Sequence, residues 1–216
     1  MSIRTLEQLS DKLSNDLAWR KRELSEVKGL VETKNVSDQR HKALLRSGVC
    51  ILYSHWEGFV KSAANAYVDY VRSQKLTYQE LASNFLALAM KSRLKDAQET
   101  NKPSLYIPVC DFFLSELNQR CVLPKDAIFT GSNLSSETFK EIAEILRIDF
   151  SYYSTKSKLI DTRLLKRRNE IAHGNYLILD REEYRELQAE IIEMLETFRN
   201  QIENAALQEK YKQNLP

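Results

Sequence analysis

The chain has 216 residues, of which 43% are hydrophobic and 29% charged. That length supports one helical domain with a real core, and the composition is too apolar for disorder. The formal net charge of +2 excludes no class of partner by itself, and only 5 glycines and 4 prolines argue against a many-stranded sheet and for long helices.

Cys50, Cys110 and Cys121 are odd in number and widely spaced. They form neither a disulfide framework nor a zinc-ligand spacing, so a reducing cytoplasm is the expected setting. The opening residues mix acids and bases early and lack a secretory apolar region, and no apolar run is long enough to cross a bilayer. The expectation is a soluble cytoplasmic protein without a membrane partner.

Residues 2 to 34 carry Leu6, Leu9, Leu13, Leu17, Leu24, Val27 and Val31 at helical spacing, a narrow apolar stripe. Asn35 to Asp38 breaks it. A second helix is expected from Gln39 to Ser73, with Leu44, Leu45, Ile51, Leu52, Trp56, Phe59 and Ala63 on one face. Val49, Tyr53, Val60, Ala64, Val68 and Val71 make a neighbouring stripe, which places this helix at the centre of a bundle. Glu57 interrupts that second stripe. It reads either as a buried partner for a distant arginine or as an exposed pair with Lys61.

A third helix is expected from Thr77 to about Thr100, with Leu81, Phe85, Leu88 and Ala89 inward. Pro103, Pro108 and Pro124 punctuate the next stretch of chain, and Pro108 can open a short helix carrying Val109, Phe112, Phe113 and Leu117. Ile128 to Leu134 reads as a loop or a brief extended segment. Ser135 or Ser136 then caps a helix holding Phe139, Ile142, Ile145 and Leu146. Residues 100 to 155 are read as an insertion packed on the core helices.

The next helix should start between Thr155 and Ser157 and stop at Gly174. Asp180-Arg181-Glu182-Glu183 has the form of a capping box, opening a last helix to about Tyr211 with Tyr184, Leu187, Ile191, Ile192, Leu195, Phe198 and Ile202 inward. No repeat or linker divides the chain. The reading is one all-α domain over 1–216: an N-terminal helix (1–36), core helices (37–100), the insertion (100–155), and the paired final helices (156–212).

Within Leu164 to Gly174, Arg168 occupies a slot in an apolar stripe and His173 ends the helix. A charge in such a slot costs stability unless a partner or a bound phosphate satisfies it. The bland reading is a salt bridge beside a capping histidine. The functional reading starts from what the segment lacks: an acidic cluster, a thiolate set, a glycine-rich phosphate loop and a nucleophile elbow. An arginine, a histidine and Asn169 suit phosphodiester cleavage, the histidine exchanging protons and the arginine holding the phosphate. Asn169 and His173 are four apart and share a face, so the amide could orient the imidazole. Arg168 and His173 lie about 140° apart on an ideal helix, which argues for a second copy of the motif completing the site. Lys156, Lys158, Arg163, Lys166, Arg167 and Arg168 crowd one segment with a single acid, Asp161. The run is either a solvated face or a phosphate-contacting patch.

Arg168-Asn169-Glu170-Ile171-Ala172-His173 resembles the R-x4-6-H signature of HEPN domains. His55-Trp56-Glu57-Gly58-Phe59-Val60-Lys61 resembles the W-E-x-F motif of a nuclease branch of that superfamily, and Gly131-Ser132-Asn133-Leu134 is also similar to that branch. The resemblance spans residues 40 to 205. It implies an up-down helical bundle that dimerises and a metal-independent endoribonuclease without cofactor, acting on RNA as a toxin or phage-defence effector beside an antitoxin or defence partner. A non-catalytic RNA- or nucleotide-binding or scaffold module is the alternative. Carried over by residue, Arg168 and His173 are the catalytic pair, Asn169 the polar companion and Glu57 a carboxylate supporting Arg168; Lys61, Arg163, Lys166 and Arg167 are the expected RNA contacts. Some HEPN toxins have a tyrosine two residues after the histidine as a nucleotidylation site. Here that residue is Asn175, and the tyrosine is Tyr176.

Trp56 is expected in the core and His41 at the surface. His55 reads as site or core, and Tyr152 and Tyr153 as stacking platforms or core.

Overall fold

The computed structural model describes residues 3–98, 102–131 and 133–213; the expected end of the third helix at Thr100, and Ser132, lie outside them. The fold is an all-α bundle. Helix α1 (Leu6–Glu32) starts at Thr5, whose hydroxyl accepts from the Gln8 amide. Helix α2 (Asp38–Ser73) starts at Ser37, capped through Arg40. Its 36 residues reach about 54 Å. Both of its apolar stripes are largely buried, from Leu45 and Val49 to Val68 and Val71, because α1 and α8 (Arg181–Leu207) both pack along it. Helix α8 opens on the expected capping box, with Asp180 and Glu183 each accepting the other's backbone N–H.

Helix α3 is shorter than the apolar spacing predicts. It runs Ser83–Gln98, while the preceding turn holds Leu81 in an antiparallel bridge to Lys212. Leu81 enters the main core from that turn rather than from a helix face. The segment read as one insertion divides in two. Pro103–Tyr106 is a 3-10 turn, Ile107–Asp111 is α4, and Phe112–Glu116 is π-wound. This half builds its own small cluster from Tyr78, Met90 and Phe112, anchored where Cys121 N–H donates to Leu76 O at 2.8 Å. The other half joins the main core through Leu123, Ile128, Leu134 and α5 (Ser136–Leu146), which buries Phe139, Ile142, Ala143 and Leu146 and is capped by Ser135. Phe139 meets Trp56, Tyr153 and Phe198 edge-on, so this half is structural interior.

After α6 (Ser151–Ser154) the chain enters a π-helical stretch, Leu159–Lys166, and tightens into α7 (Arg167–Ala172). Leu159, Ile160, Leu164 and Leu165 are buried along the π-wound part. A π-helix of this length is rare and marks functional segments more often than ordinary ones. No helix among the described residues is long and apolar enough to cross a membrane.

Candidate functional site

Helix α7 ends in a Schellman turn. Gly174 N–H donates to Ile171 O at 3.1 Å and Asn175 N–H to Glu170 O at 2.9 Å. Gly174 stands at φ +78°, where an L side chain would be strained. His173 is therefore the C-cap residue that follows Ala172, and it is exposed to solvent.

Arg168 is half-buried. Its guanidinium carbon stacks 3.9 Å from the centre of the Tyr53 ring, and its Nη2 donates to Asn133 Oδ1 at 2.8 Å. Its Nε is buried and finds no acceptor. No carboxylate pairs with it among the described residues. The expected ion pair with Glu57 is absent, for a geometric reason: the Tyr53 ring fills the space against the guanidinium, and Glu57 Oε1 accepts instead from Thr130 Oγ1 at 2.8 Å. Nor does Glu57 pair with Lys61, whose ammonium lies 5.8 Å from the Phe129 ring centre.

Tyr53, Glu57 and Asn65 together hold the loop 128–134 against α2. The Tyr53 hydroxyl accepts from Leu134 N–H at 2.8 Å, and Asn65 both donates to Ile128 O and accepts from Ile128 N–H, each at 3.1 Å. That loop carries Asn133 to Arg168. Glu57 thus holds Thr130 and also faces Tyr53, and makes no ion pair with Arg168. Burial raises the Tyr53 phenol above its ordinary pKa, and Leu134 N–H and Arg168 act against that rise. The ring stays neutral and stacks as a π face under the cation.

A second arginine approaches from α2. Arg46 Nη2 donates to Asn175 O at 3.1 Å, just past His173, and its Nε is buried without an acceptor. Cys50, one turn on, lies in the field of both Arg46 and Arg168, although burial is the larger influence and raises its thiol pKa. Sequence reading missed Arg46, Tyr53 and Asn133 as site members. The available signal was the α2 periodicity: residues 46, 50, 53 and 57 fall on one helical face.

Asn169 meets His173 through the backbone alone, His173 N–H donating to Asn169 O at 3.0 Å; no hydrogen bond joins the amide to the imidazole among the described residues. The basic run is largely neutralised. Arg167 pairs with Glu183 at 2.9 Å, Arg163 with Glu186 at 3.1 Å, and Lys156 with Glu190, so three acids on successive turns of α8 face it. Lys166 stands exposed, 4.0 Å from Glu170.

His55 belongs to neither site nor plain core. It is buried with Asp16 and Arg20 between α1 and α2. Arg20 Nε donates to Asp16 Oδ1 at 3.0 Å, its Nη1 stands 3.4 Å from His55 Nδ1, and His55 Nε2 lies 2.7 Å from Glu23 Oε2. Burial lowers the pKa of His55; Glu23 counters it and Arg20 adds to it. Gly58 explains the glycine of the Trp-Glu-Gly-Phe run, since a Cβ there would meet Arg20 Nη1 at 2.9 Å. Trp56 is fully buried, as expected. Tyr153 is core, its hydroxyl donating to Gln201 at 3.0 Å. His41 is half-buried rather than a surface residue, its Nε2 accepting from Arg181 Nε at 2.8 Å.

The motif surface is open. A cavity of about 680 Å³ between α1 and α2 is lined by Asp11, Lys12, Gly58, Lys61, Asn65 and Asp69 among others, and by neither Arg168 nor His173. Arg46 and Arg168 have no carboxylate partner among the described residues, and such guanidinium groups can bind an oxyanion, while an exposed imidazole such as that of His173 can exchange a proton. Compared with known families, residues 9–211 match the profile of the MAE_28990-like HEPN domain. No curated protein and no solved structure matches the chain.

Proposed function

The chain belongs to the MAE_28990-like HEPN family, and from that membership we propose that it is a metal-independent endoribonuclease in which Arg168 and His173 act at a homodimer interface. The observation that carries the reading is the state of Arg168: half-buried, stacked on Tyr53, and without a carboxylate. The bland alternative, a structural salt bridge, required that carboxylate. A cation kept in place by a ring and an amide retains donors for a phosphate.

In the proposed reaction the 2′-hydroxyl of RNA attacks the adjacent phosphorus. The O2′–P bond forms and the P–O5′ bond breaks, giving a 2′,3′-cyclic phosphate and a 5′-hydroxyl. One His173 takes the 2′ proton and the His173 of the second copy protonates the leaving O5′. The open motif surface and the angle between Arg168 and His173 support completion by that second copy. Arg168 binds the non-bridging oxygens, Asn133 and Tyr53 fix its direction, and Glu57 fixes theirs through the loop. Of the expected RNA contacts, Lys61 makes no ion pair among the described residues and Lys166 only a long, exposed one with Glu170, whereas Arg163 and Arg167 are engaged with α8. A toxin or phage-defence role in the cytoplasm, beside an antitoxin or defence partner, belongs to the same reading.

One observation favours a second reading, a non-catalytic module that binds RNA or nucleotide or scaffolds a defence assembly: no hydrogen bond orients the His173 imidazole among the described residues. Cleavage of RNA in chelator-containing buffer separates the two. The wild type should cut, and Arg168→Ala and His173→Ala should each lose at least about 100-fold of that rate while keeping the wild-type circular dichroism. RNA binding without cleavage by the wild type selects the second reading, and full cleavage by the double variant removes the first.

A further inference from the structure

Far from the motif, at the other end of α2, four cations converge on one cavity. Arg4 comes from the segment before α1, Arg72 and Lys75 from the end of α2, and Arg120 from the end of the first half of the inserted segment; with Ser73 they line a space of about 410 Å³. Arg72 lies 19 residues beyond Tyr53 on the same helix, about 28 Å along its axis, so this is a separate place on the molecule. No carboxylate lines it. Asp69 pairs with Arg72 Nη2 at 2.6 Å from the side, and Arg4, Lys75 and Arg120 make no ion pair among the described residues. Arg72 Nη1 is buried and finds no acceptor.

The end of a helix attracts cations through its dipole and its unpaired carbonyls, but that does not account for this cluster. The Tyr70 carbonyl already accepts from Ser73 Oγ at 2.7 Å and Gln74 Nε2 at 3.1 Å, and the Val71 carbonyl from Gln74 N–H at 3.0 Å. Those caps take up none of the guanidinium or ammonium groups, of which only Arg72 Nη2 has a partner among the described residues, in Asp69. Arg4 and Arg120 are brought in from sequence-distant segments, against mutual repulsion. Lys75 holds φ +61°, a conformation that a lysine adopts at a cost and a glycine does not.

We infer that this cavity is an oligophosphate-binding site, taking two or more adjacent phosphate groups between Arg72, Lys75, Arg120 and Arg4. Arginine forks and a lysine ammonium match phosphate oxygens in number and charge, and the volume suits a small polyanionic group. The phosphates belong either to a free nucleotide tail or to the backbone of a single RNA strand. The inference rests on this cavity alone and stands apart from the nuclease reading.

The probe is sodium tripolyphosphate, titrated calorimetrically into the full chain at low salt. The wild type should bind it with an affinity that falls as salt rises. Lys75→Glu/Arg120→Glu, both exposed positions, should weaken binding at least tenfold. Arg22→Glu/Lys34→Glu makes the same change of net charge elsewhere and should leave binding within about twofold, because a built site does not respond to net charge alone. Arg168→Ala should also bind as wild type, which keeps this test apart from the cleavage test. An unstructured RNA oligonucleotide forms the second arm. Its displacement by tripolyphosphate, with the same tenfold loss in the double variant, assigns the site to RNA backbone; RNA binding unaffected by the double variant assigns it to free oligophosphate. No binding by the wild type, equal affinity in Lys75→Glu/Arg120→Glu, or equal loss in Arg22→Glu/Lys34→Glu would overturn the inference.

Discussion

Arg168 lies over Tyr53, 3.9 Å from guanidinium carbon to ring centre, where an ion pair with Glu57 was the expectation. A ring neutralises nothing, so the cation keeps its charge and its remaining donors while losing freedom of direction. This differs from a buried salt bridge, in which the partner carboxylate would compete with any incoming phosphate.

Substitutions at Tyr53 should separate stacking from loop anchoring. Tyr53→Phe keeps the π face but leaves Leu134 N–H without its acceptor, at a cost of about 1–3 kcal/mol. Tyr53→Leu removes the ring as well, worth about a further 0.5–2 kcal/mol. Denaturant unfolding should rank wild type, Phe and Leu in that order. In the proposed nuclease, RNA cleavage should survive in Phe and fall in Leu. Equal loss in both would show that the hydroxyl, and not the stack, places Arg168.

The three acids on α8 restrain the basic run, so removing two of them should expose it. Glu183→Gln/Glu186→Gln frees Arg167 and Arg163. With two more cations available, single-stranded RNA binding should tighten and its log–log salt slope should steepen by about 1.4. Stability should drop by less than about 1 kcal/mol, because glutamine at position 183 still accepts the Asp180 N–H in the capping box and the ion pairs lost are largely exposed. An unchanged salt slope would place the RNA on another face.

The three long helices, α1, α2 and α8, were legible because their apolar residues recur at helical spacing and little glycine or proline interrupts them. The second half of the 100–155 segment was not, since Phe139 and Tyr153 owe their burial to partners far apart in sequence. At the site, the Arg168–His173 spacing and the Gly174 stop could be read directly. The partner of Arg168 could not, because Tyr53 and Glu57 both face it from adjacent turns of α2 and only packing selects the ring. The Asp16–Arg20–His55 cluster hid for a related reason: an aspartate and an arginine four apart read as an exposed pair. Yet Arg20 sits between Leu17 and Leu24 on the buried stripe of α1, the same warning that Arg168 gave.

His55 makes stability depend on pH in a defined direction. Its folded pKa is depressed by burial below the ordinary value near 6.5, so below that value the unfolded chain binds the proton more readily. The contribution of neutral His55 is complete above about pH 6.5 and is lost as the pH falls through the folded pKa. Protonation would place N–H at Nδ1, which faces Arg20 Nη1, with Asp16 and Glu23 too engaged or too exposed to offset it fully. The melting temperature should therefore fall on acidification from pH 7, and His55→Gln, which keeps a donor and an acceptor without titrating, should flatten that part of the profile. The same slope in both proteins would assign the acid sensitivity to carboxylates instead.

Gly174 offers the most direct handle on where His173 stands. At φ +78° with both Schellman bonds made, Gly174→Ala meets no steric neighbour, since nothing lies within 4 Å of a Cβ built there. The cost is purely conformational, about 1–2 kcal/mol for an L residue in the left-handed region. Because Ala172 to Tyr176 are all exposed, the strain should be relieved locally by unwinding the end of α7 rather than by lowering global stability. In Gly174→Ala, amide hydrogen exchange at the substituted residue and at Asn175 should then speed up by an order of magnitude or so, as expected for a local opening favoured by about 1–2 kcal/mol, with little change in the melting temperature. Asn175 O is also the acceptor for Arg46, so the same opening releases that arginine. A full drop in global stability with unchanged local exchange would mean that the turn is coupled to the core and that His173 is held more rigidly than its exposure implies.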